Sequence, residues 1–235
     1  MDFVFAAEAN DCGEVLRKFF LDHKRFDVPQ MLANEISKVM GLEPKIDLSK
    51  MSEREINVLM KAFSKFPNAN ANAVRREFSL LKKSKNKILD VNSILPMGAQ
   101  SVTRTKPCRL FINCYNAIEL FHSPMAKPDY RDSADMRYYL REYFHRLQAG
   151  VKLMPGDVII VLEKNQHGIW IQHAAVYISN DLIWHKPGFS DLVTWKFVNI
   201  EEAFLPYFLE AKKIPNEVEI RVYRANTDSN DILRH

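Results

Sequence analysis

An α+β fold, with helices in the first half and a mainly antiparallel sheet in the second, is predicted by three observations on this 235-residue chain. Up to about residue 90 the apolar residues recur at helical spacing. From residue 157 onward they fall into short β-branched and aromatic runs, the last of which alternates cleanly. Between the two textures, residues 91–107 (VNSILPMGAQSVTRTKP) carry two prolines and a glycine and no period, and read as a connector. Helices first and strands afterwards is the order of an α+β unit.

The N-terminal unit, residues 1–90, is expected to be a helical domain. Val28-Pro29 opens a segment that places Leu32, Ile36, Val39 and Met40 at helical spacing and closes at Gly41 and Pro44. Ser52-Glu53-Arg54-Glu55 has the form of a capping box. Ile56, Leu59, Met60 and Phe63 follow it on one face, and Pro67 stops the pattern. A third segment, Ala71 to Lys83, brings Val74, Phe78 and Leu81 together. Lys82, Lys83, Lys85 and Lys87 read first as a solvated helix end, with an anionic docking patch as the alternative.

The second unit, residues 108–225, begins with a helix from near Cys114 to Ser123-Pro124, then a longer one from about Ser133 to Gln148. Strands are expected at Asp157–Glu163, Ile169–Ile178, Leu182–Lys186, Val193–Val198 and Glu217–Tyr223. In the last, Val218, Ile220 and Val222 share one face while Glu219, Arg221 and Tyr223 share the other. Residues 226–235 form a polar tail.

Composition narrows the function classes. The chain is 47% hydrophobic and 26% charged with a net charge of +4, ordinary for a globular protein and no argument for nucleic acid. Asp2 and Glu8 stand where a signal peptide would be basic and then apolar, and no apolar run is long enough to span a membrane. The expectation is a cytoplasmic product as synthesised, with specialised export left open. Three cysteines (Cys12, Cys108, Cys114) without disulfide or metal spacing imply a reducing compartment and a free thiol. There is no Gly-rich phosphate loop, no HExxH and no paired-carboxylate motif, and no cofactor is expected.

Chemistry enters at Cys114 in RLFINCYNAIELFH. A cysteine in the first turn of a helix meets the positive end of the helix dipole and free backbone N–H groups, which favour thiolate and can hold an oxyanion. Taken alone, such a cysteine is most often a small core residue. His173, at the head of HAAVYISND, changes the reading, because His185 lies twelve positions on in LIWHKPG. A hairpin loop of odd length (Ser179-Asn180-Asp181) sets position 175 opposite 185, making His173 and His185 a diagonal pair on one face. An even loop sends them to opposite faces. With the odd loop, His185 can orient His173, completing a nucleophile–base–orienter set.

In this order the residues resemble the NlpC/P60 cysteine peptidases, a bacterial branch of the papain-like hydrolases. The likeness covers roughly residues 105–225: NCYNAIELF, then the Pro155-Gly156-Asp157 turn into PGDVIIVL, HAAVYIS and LIWHK. It implies a papain-like core with Cys114 as nucleophile, His173 as base and His185 as orienter, acting on a peptide or another amide through an acyl-enzyme. Asp157 is then a turn residue. Family members that cut cell-wall peptides carry Asp before the cysteine and Ser-Gly after it; here Asn113, Tyr115 and Asn116 stand there, so the chemistry carries over better than that substrate. Asn113, Tyr115 and Trp184 are expected to meet the substrate, and the N-terminal unit to shape access or bind a protein partner. Acyl transfer or deamidation on the same site, or a binding module without catalysis, are the alternatives. Tyr177 and Trp170 read as core or cleft residues, His167 as a solvated loop residue, and His122 as a helix-end residue.

Overall fold

The computed structural model describes residues 45–49, 51–64, 70–85, 87–103, 113–123, 131–179, 182–188, 195–211 and 217–226. The expected helix opened by Val28-Pro29 lies outside these residues, as do Cys12 and Cys108.

In the first described part, strands β1 (Lys45–Asp47) and β2 (Ile88–Asp90) pair antiparallel, with Ile46 opposite Leu89. Two helices stand between them, α1 (Glu53–Phe63) and α2 (Ala71–Lys83). The capping box forms: Glu55 N–H donates to Ser52 Oγ (3.3 Å), and Ser52 N–H donates to the Glu55 carboxylate (2.8 Å). Asn70 starts α2 by accepting from Ala73 N–H (3.0 Å). Ile56, Leu59, Phe63, Val74, Phe78 and Leu81 are buried, with the Phe63 and Phe78 rings 6.5 Å apart. The strand pair corrects the all-helical expectation. Three-residue strands owe their form to each other, and short apolar runs carry no period of their own.

Residues 91–107 are not a loose connector where they are described. Val91–Ile94 form a 3₁₀ turn and Met97–Thr103 a helix, α3. Val91, Ile94, Leu95 and Ala99 enter the same core as α1 and α2. Gly98 lets α3 come down on the helix that begins at Cys114: a Cβ there would lie 2.2 Å from the Leu120 carbonyl oxygen.

The second part holds α4 (Cys114–His122), α5 (Ser133–Tyr143), β3 (Phe144–Arg146), β4 (Val158–Asn165), β5 (Gly168–Ser179), β6 (Leu182–His185), β7 (Lys196–Asn199), α6 (Ile200–Ala211) and β8 (Glu217–Ala225). The six strands make one antiparallel sheet in the order β3-β8-β4-β5-β6-β7. The helix expected to run to Gln148 ends at Tyr143, because Phe144–Arg146 pair with the end of β8 instead. Ladder hydrogen bonds to a distant strand override helical preference there.

Side chains alternate across the sheet, and both faces are covered, which explains the unbroken apolar run VIIVL in β4. On one face Val158, Ile160, Ala174, Val176 and Trp184 meet Ala117, Ile118, Leu120 and Phe121 of α4. On the other, Ile159, Val161, Ala175, Tyr177 and Ile183 meet Ala203, Phe204 and Phe208 of α6. Helix α6 is absent from the expectations above; Pro206 in its middle reads as a break. Among the described residues, no helix is long and apolar enough to cross a membrane.

Candidate functional site

Cys114 is the first residue of α4, and its neighbours fix that start. Asn113 Oδ1 accepts from Tyr115 N–H (2.9 Å), and Asn116 Oδ1 accepts from Asn113 N–H (3.0 Å). The Asn113 amide also donates to the Arg131 carbonyl (2.7 Å), and Arg131 Nε donates to Glu119 (2.8 Å). These bonds tie the first turn of α4 to the chain just ahead of α5.

The two histidines meet through the register of β5 and β6. Val176 lies opposite Trp184 and Tyr177 opposite Ile183, which sets position 175 against 185 as the odd loop required. The strands nevertheless close on Ser179 and Leu182, which leaves two residues between them where three were expected, and a register shift between Tyr177 and Ser179 restores the parity. His173 Nε2 and His185 Nδ1 are 2.7 Å apart, with the rings nearly perpendicular. On the remaining nitrogen, His173 Nδ1, sits the hydroxyl of Tyr207 from α6 at 3.1 Å. The Tyr207 ring lies nearly parallel to the imidazole, and Phe204 meets it edge-on.

The end of β6 leaves a strand N–H of β5 open to Cys114. Tyr177 N–H donates to the Asp157 carbonyl, on the side of β5 that faces β4. By alternation, the even-numbered residues of β5 turn their N–H groups toward β6. Strand β6 stops at His185, opposite 175, so the N–H of Ala174 passes beyond its end. There it pulls the Cys114 thiol toward the thiolate, as do the N–H groups of Cys114 and Tyr115.

The electrostatics are those of a dry site. Burial pushes the Cys114 thiol up to about 12, against the pull of those N–H groups and of the Lys186 charge. The helix terminus therefore acts in the expected direction, and desolvation outweighs it. Burial alone holds His173 down to about 3. His185 is held well below its ordinary value by burial, then by the charges of His173 and Lys196. Burial also raises the Tyr207 phenol, and the Cys114 charge adds to it. Burial thus favours the neutral thiol and neutral imidazoles at neutral pH.

His173 and His185 thus meet each other and α6 on one side of β5 and β6, and Cys114 begins α4 beside Ala174, the next residue after His173. Asn113, Tyr115 and Trp184, expected to meet substrate, are buried, and their polar atoms are engaged within the protein. Asn113 caps α4, the Tyr115 hydroxyl donates to the Ile171 carbonyl, and Trp184 Nε1 donates to Thr103 (3.2 Å). Tyr177 is core, whereas Trp170 is exposed. His167 sits in an exposed turn. Asp157 holds Arg224 through both carboxylate oxygens (2.8 Å each) and accepts from Met154 N–H, a turn role. His122 ends α4 but is buried edge-on to Phe144, and burial holds it down to about 4.

Two residues of the site were not foreseen. Tyr207 is 34 positions from His173, inside an apolar helix that gives no local sign of it. Lys186 is fully buried, donates to the Gly188 carbonyl (3.1 Å) and lies over the Trp195 ring. Its adjacency to His185 was the one available signal. Among the described residues, no group of three or more His, Cys, Asp or Glu side chains is placed to hold a metal ion. No family model, curated protein or solved structure matches this chain.

Proposed function

We propose that this chain is a cysteine hydrolase of the NlpC/P60 kind, with a papain-like core, that cleaves an amide bond through Cys114, His173 and His185. The observation that carries the reading is the 2.7 Å contact between His173 Nε2 and His185 Nδ1, in a register that also lets Ala174 N–H pull the Cys114 thiol toward the thiolate. A histidine whose far nitrogen is held by a third group is the base of a nucleophile–base–orienter set.

The chemistry follows from these contacts. His173 Nδ1 takes the thiol proton as the Cys114 sulfur attacks the amide carbon, since a thiolate is too costly in the buried site to stand alone. The N–H of Cys114, at the start of α4, receives the developing oxyanion. His185 Nδ1 accepts from His173 Nε2–H and steadies the imidazolium. Nδ1 passes its proton to the departing amine, leaving a thioester on Cys114. Water then attacks the thioester, giving a proton to Nδ1 that returns to the Cys114 sulfur as the acid leaves.

The substrate reading stays at the level of an amide. Asn113 and Asn116, which stand where cell-wall members carry recognition residues, are engaged in the cap of α4. That argues against a cell-wall peptide bound in the family manner. A second reading, a binding module without catalysis, is favoured by one observation, the burial that raises the Cys114 thiol.

Hydrolysis of short peptide p-nitroanilides by the full chain separates the two. The hydrolase reading expects turnover that falls at least about 100-fold in Cys114→Ala and in His173→Ala, both still folded by circular dichroism. Equal background rates in all three proteins across a broad set of peptides would leave the binding module.

A further inference from the structure

Nδ1 of His173 is the nitrogen that has to receive the Cys114 proton, because Nε2 is held by His185. A neutral imidazole nitrogen has either one lone pair or one proton to offer. That single position is taken by the Tyr207 hydroxyl at 3.1 Å. If Tyr207 donates, the lone pair is occupied; if His173 donates from Nδ1, the nitrogen is already protonated. Either direction leaves Cys114 without its base. The first direction runs as a chain: Tyr207 O–H to Nδ1, then Nε2–H to His185 Nδ1. Its far end, His185 Nε2, is buried and has no hydrogen-bond partner among the described residues.

We infer that Tyr207 competes with Cys114 for the base nitrogen of His173, keeps the site idle, and releases the nitrogen when a substrate carbonyl offers its hydroxyl another acceptor. The inference rests on the hydrolase reading and deepens it. A negative charge on Cys114 would raise the Tyr207 phenol further, so the hydroxyl lies within electrostatic reach of a carbonyl bound at the sulfur. Burial keeps the phenol protonated and hence a donor. No covalent bond changes in the hand-over; one O–H changes acceptor. His173 meets His185 from β6 and Phe204 and Tyr207 from α6. Tyr207 is the hydroxyl among them.

Tyr207→Phe removes that hydroxyl and keeps the ring that stacks on His173. Two rates at Cys114 in the full chain are read by peptide mass spectrometry: alkylation by iodoacetamide, and acylation by p-nitrophenyl acetate. Alkylation should become about 2- to 10-fold faster, the range one such hydrogen bond is worth. Acylation, which needs the hydroxyl on the carbonyl oxygen, should slow by a similar factor. A merely structural tyrosine would move both rates in the same direction. Unchanged or slower alkylation, or faster acylation, overturns the inference. A measurement on the wild type covers a variant that does not fold. In the empty protein, the imidazole ¹⁵N spectrum should show His173 Nδ1 as a hydrogen-bonded nitrogen, and a free Nδ1 overturns the inference equally. His173→Ala keeps the two levels apart. If it leaves acylation of Cys114 unaltered, the hydrolase reading fails. If it abolishes acylation while Tyr207→Phe moves neither rate, only the competition fails.

Discussion

The pH at which Cys114 becomes reactive follows from its burial and can be worked through. With the thiol pushed up to about 12, the thiolate fraction at pH 7 is on the order of 10⁻⁵, against about 10⁻² for a free cysteine. A more basic thiolate is also a better nucleophile. With a Brønsted slope near 0.45, three pKa units recover about 20-fold. Alkylation of Cys114 in the native, empty protein should therefore run about 50-fold slower at pH 7 than in the same chain unfolded in urea. Its logarithm should rise by about one per pH unit to pH 10 with no plateau. The assay is iodoacetamide labelling across pH 5–10, read on the Cys114 peptide, with the unfolded chain as the internal standard. A plateau reached below pH 7, with native labelling as fast as unfolded, would mean a preformed thiolate–imidazolium pair. It would refute the argument that desolvation outweighs the helix N–H groups.

Acid should weaken the fold. Burial holds His122 down to about 4 and His173 down to about 3, while the unfolded chain titrates near 6.5. Below 6.5 the unfolded state binds more protons, so stability falls as pH drops toward 4, by up to ~1.4 kcal/mol per pH unit for each histidine. His185 works in the same direction and Glu119, raised by burial, in the opposite one. Urea midpoints that stay level from pH 7 to pH 5 would contradict this. Asn113→Ala should cost about 1 kcal/mol as a lost helix cap, read as a melting temperature lower by about 2–4 °C; a substrate-contact role would raise KM and leave the melting temperature alone. Gly98→Ala should be more damaging than a surface change, by at least about 1–3 kcal/mol, because its methyl would meet the Leu120 carbonyl. An unaltered melting temperature there would show that α3 and α4 can separate freely.

What could be read from the sequence was whatever is encoded locally. Ser52 and Glu55 announce α1 because a capping box lies within four residues. A helix start near Cys114 was legible too, but not its Asn113–Asn116 cap, since Asn113 read as a substrate contact. Val218, Ile220 and Val222 alternate because one face of β8 is buried more deeply than the other. The meeting of His173 and His185 was a matter of parity, and the parity was right, although a register shift in β5 supplies it. What stayed hidden depends on partners far away in the chain. β3 exists through its pairing with the end of β8, and the β1–β2 ladder joins residues more than forty apart. Tyr207 reaches His173 only because α6 covers the second face of the sheet. The free energy of Cys114 was misjudged for the same reason. The helix N–H groups are visible in sequence, whereas the burial that outweighs them is a property of the whole fold.

Trapping the acyl-enzyme tests the central claim most directly. The full chain, incubated with activated acyl donors and quenched in acid, should gain one acyl group, located on Cys114 and absent from Cys114→Ala and His173→Ala. Acyl groups spread over several side chains, or placed on Cys114 at the same rate when His173 is alanine, would contradict a Cys114–His173–His185 hydrolase.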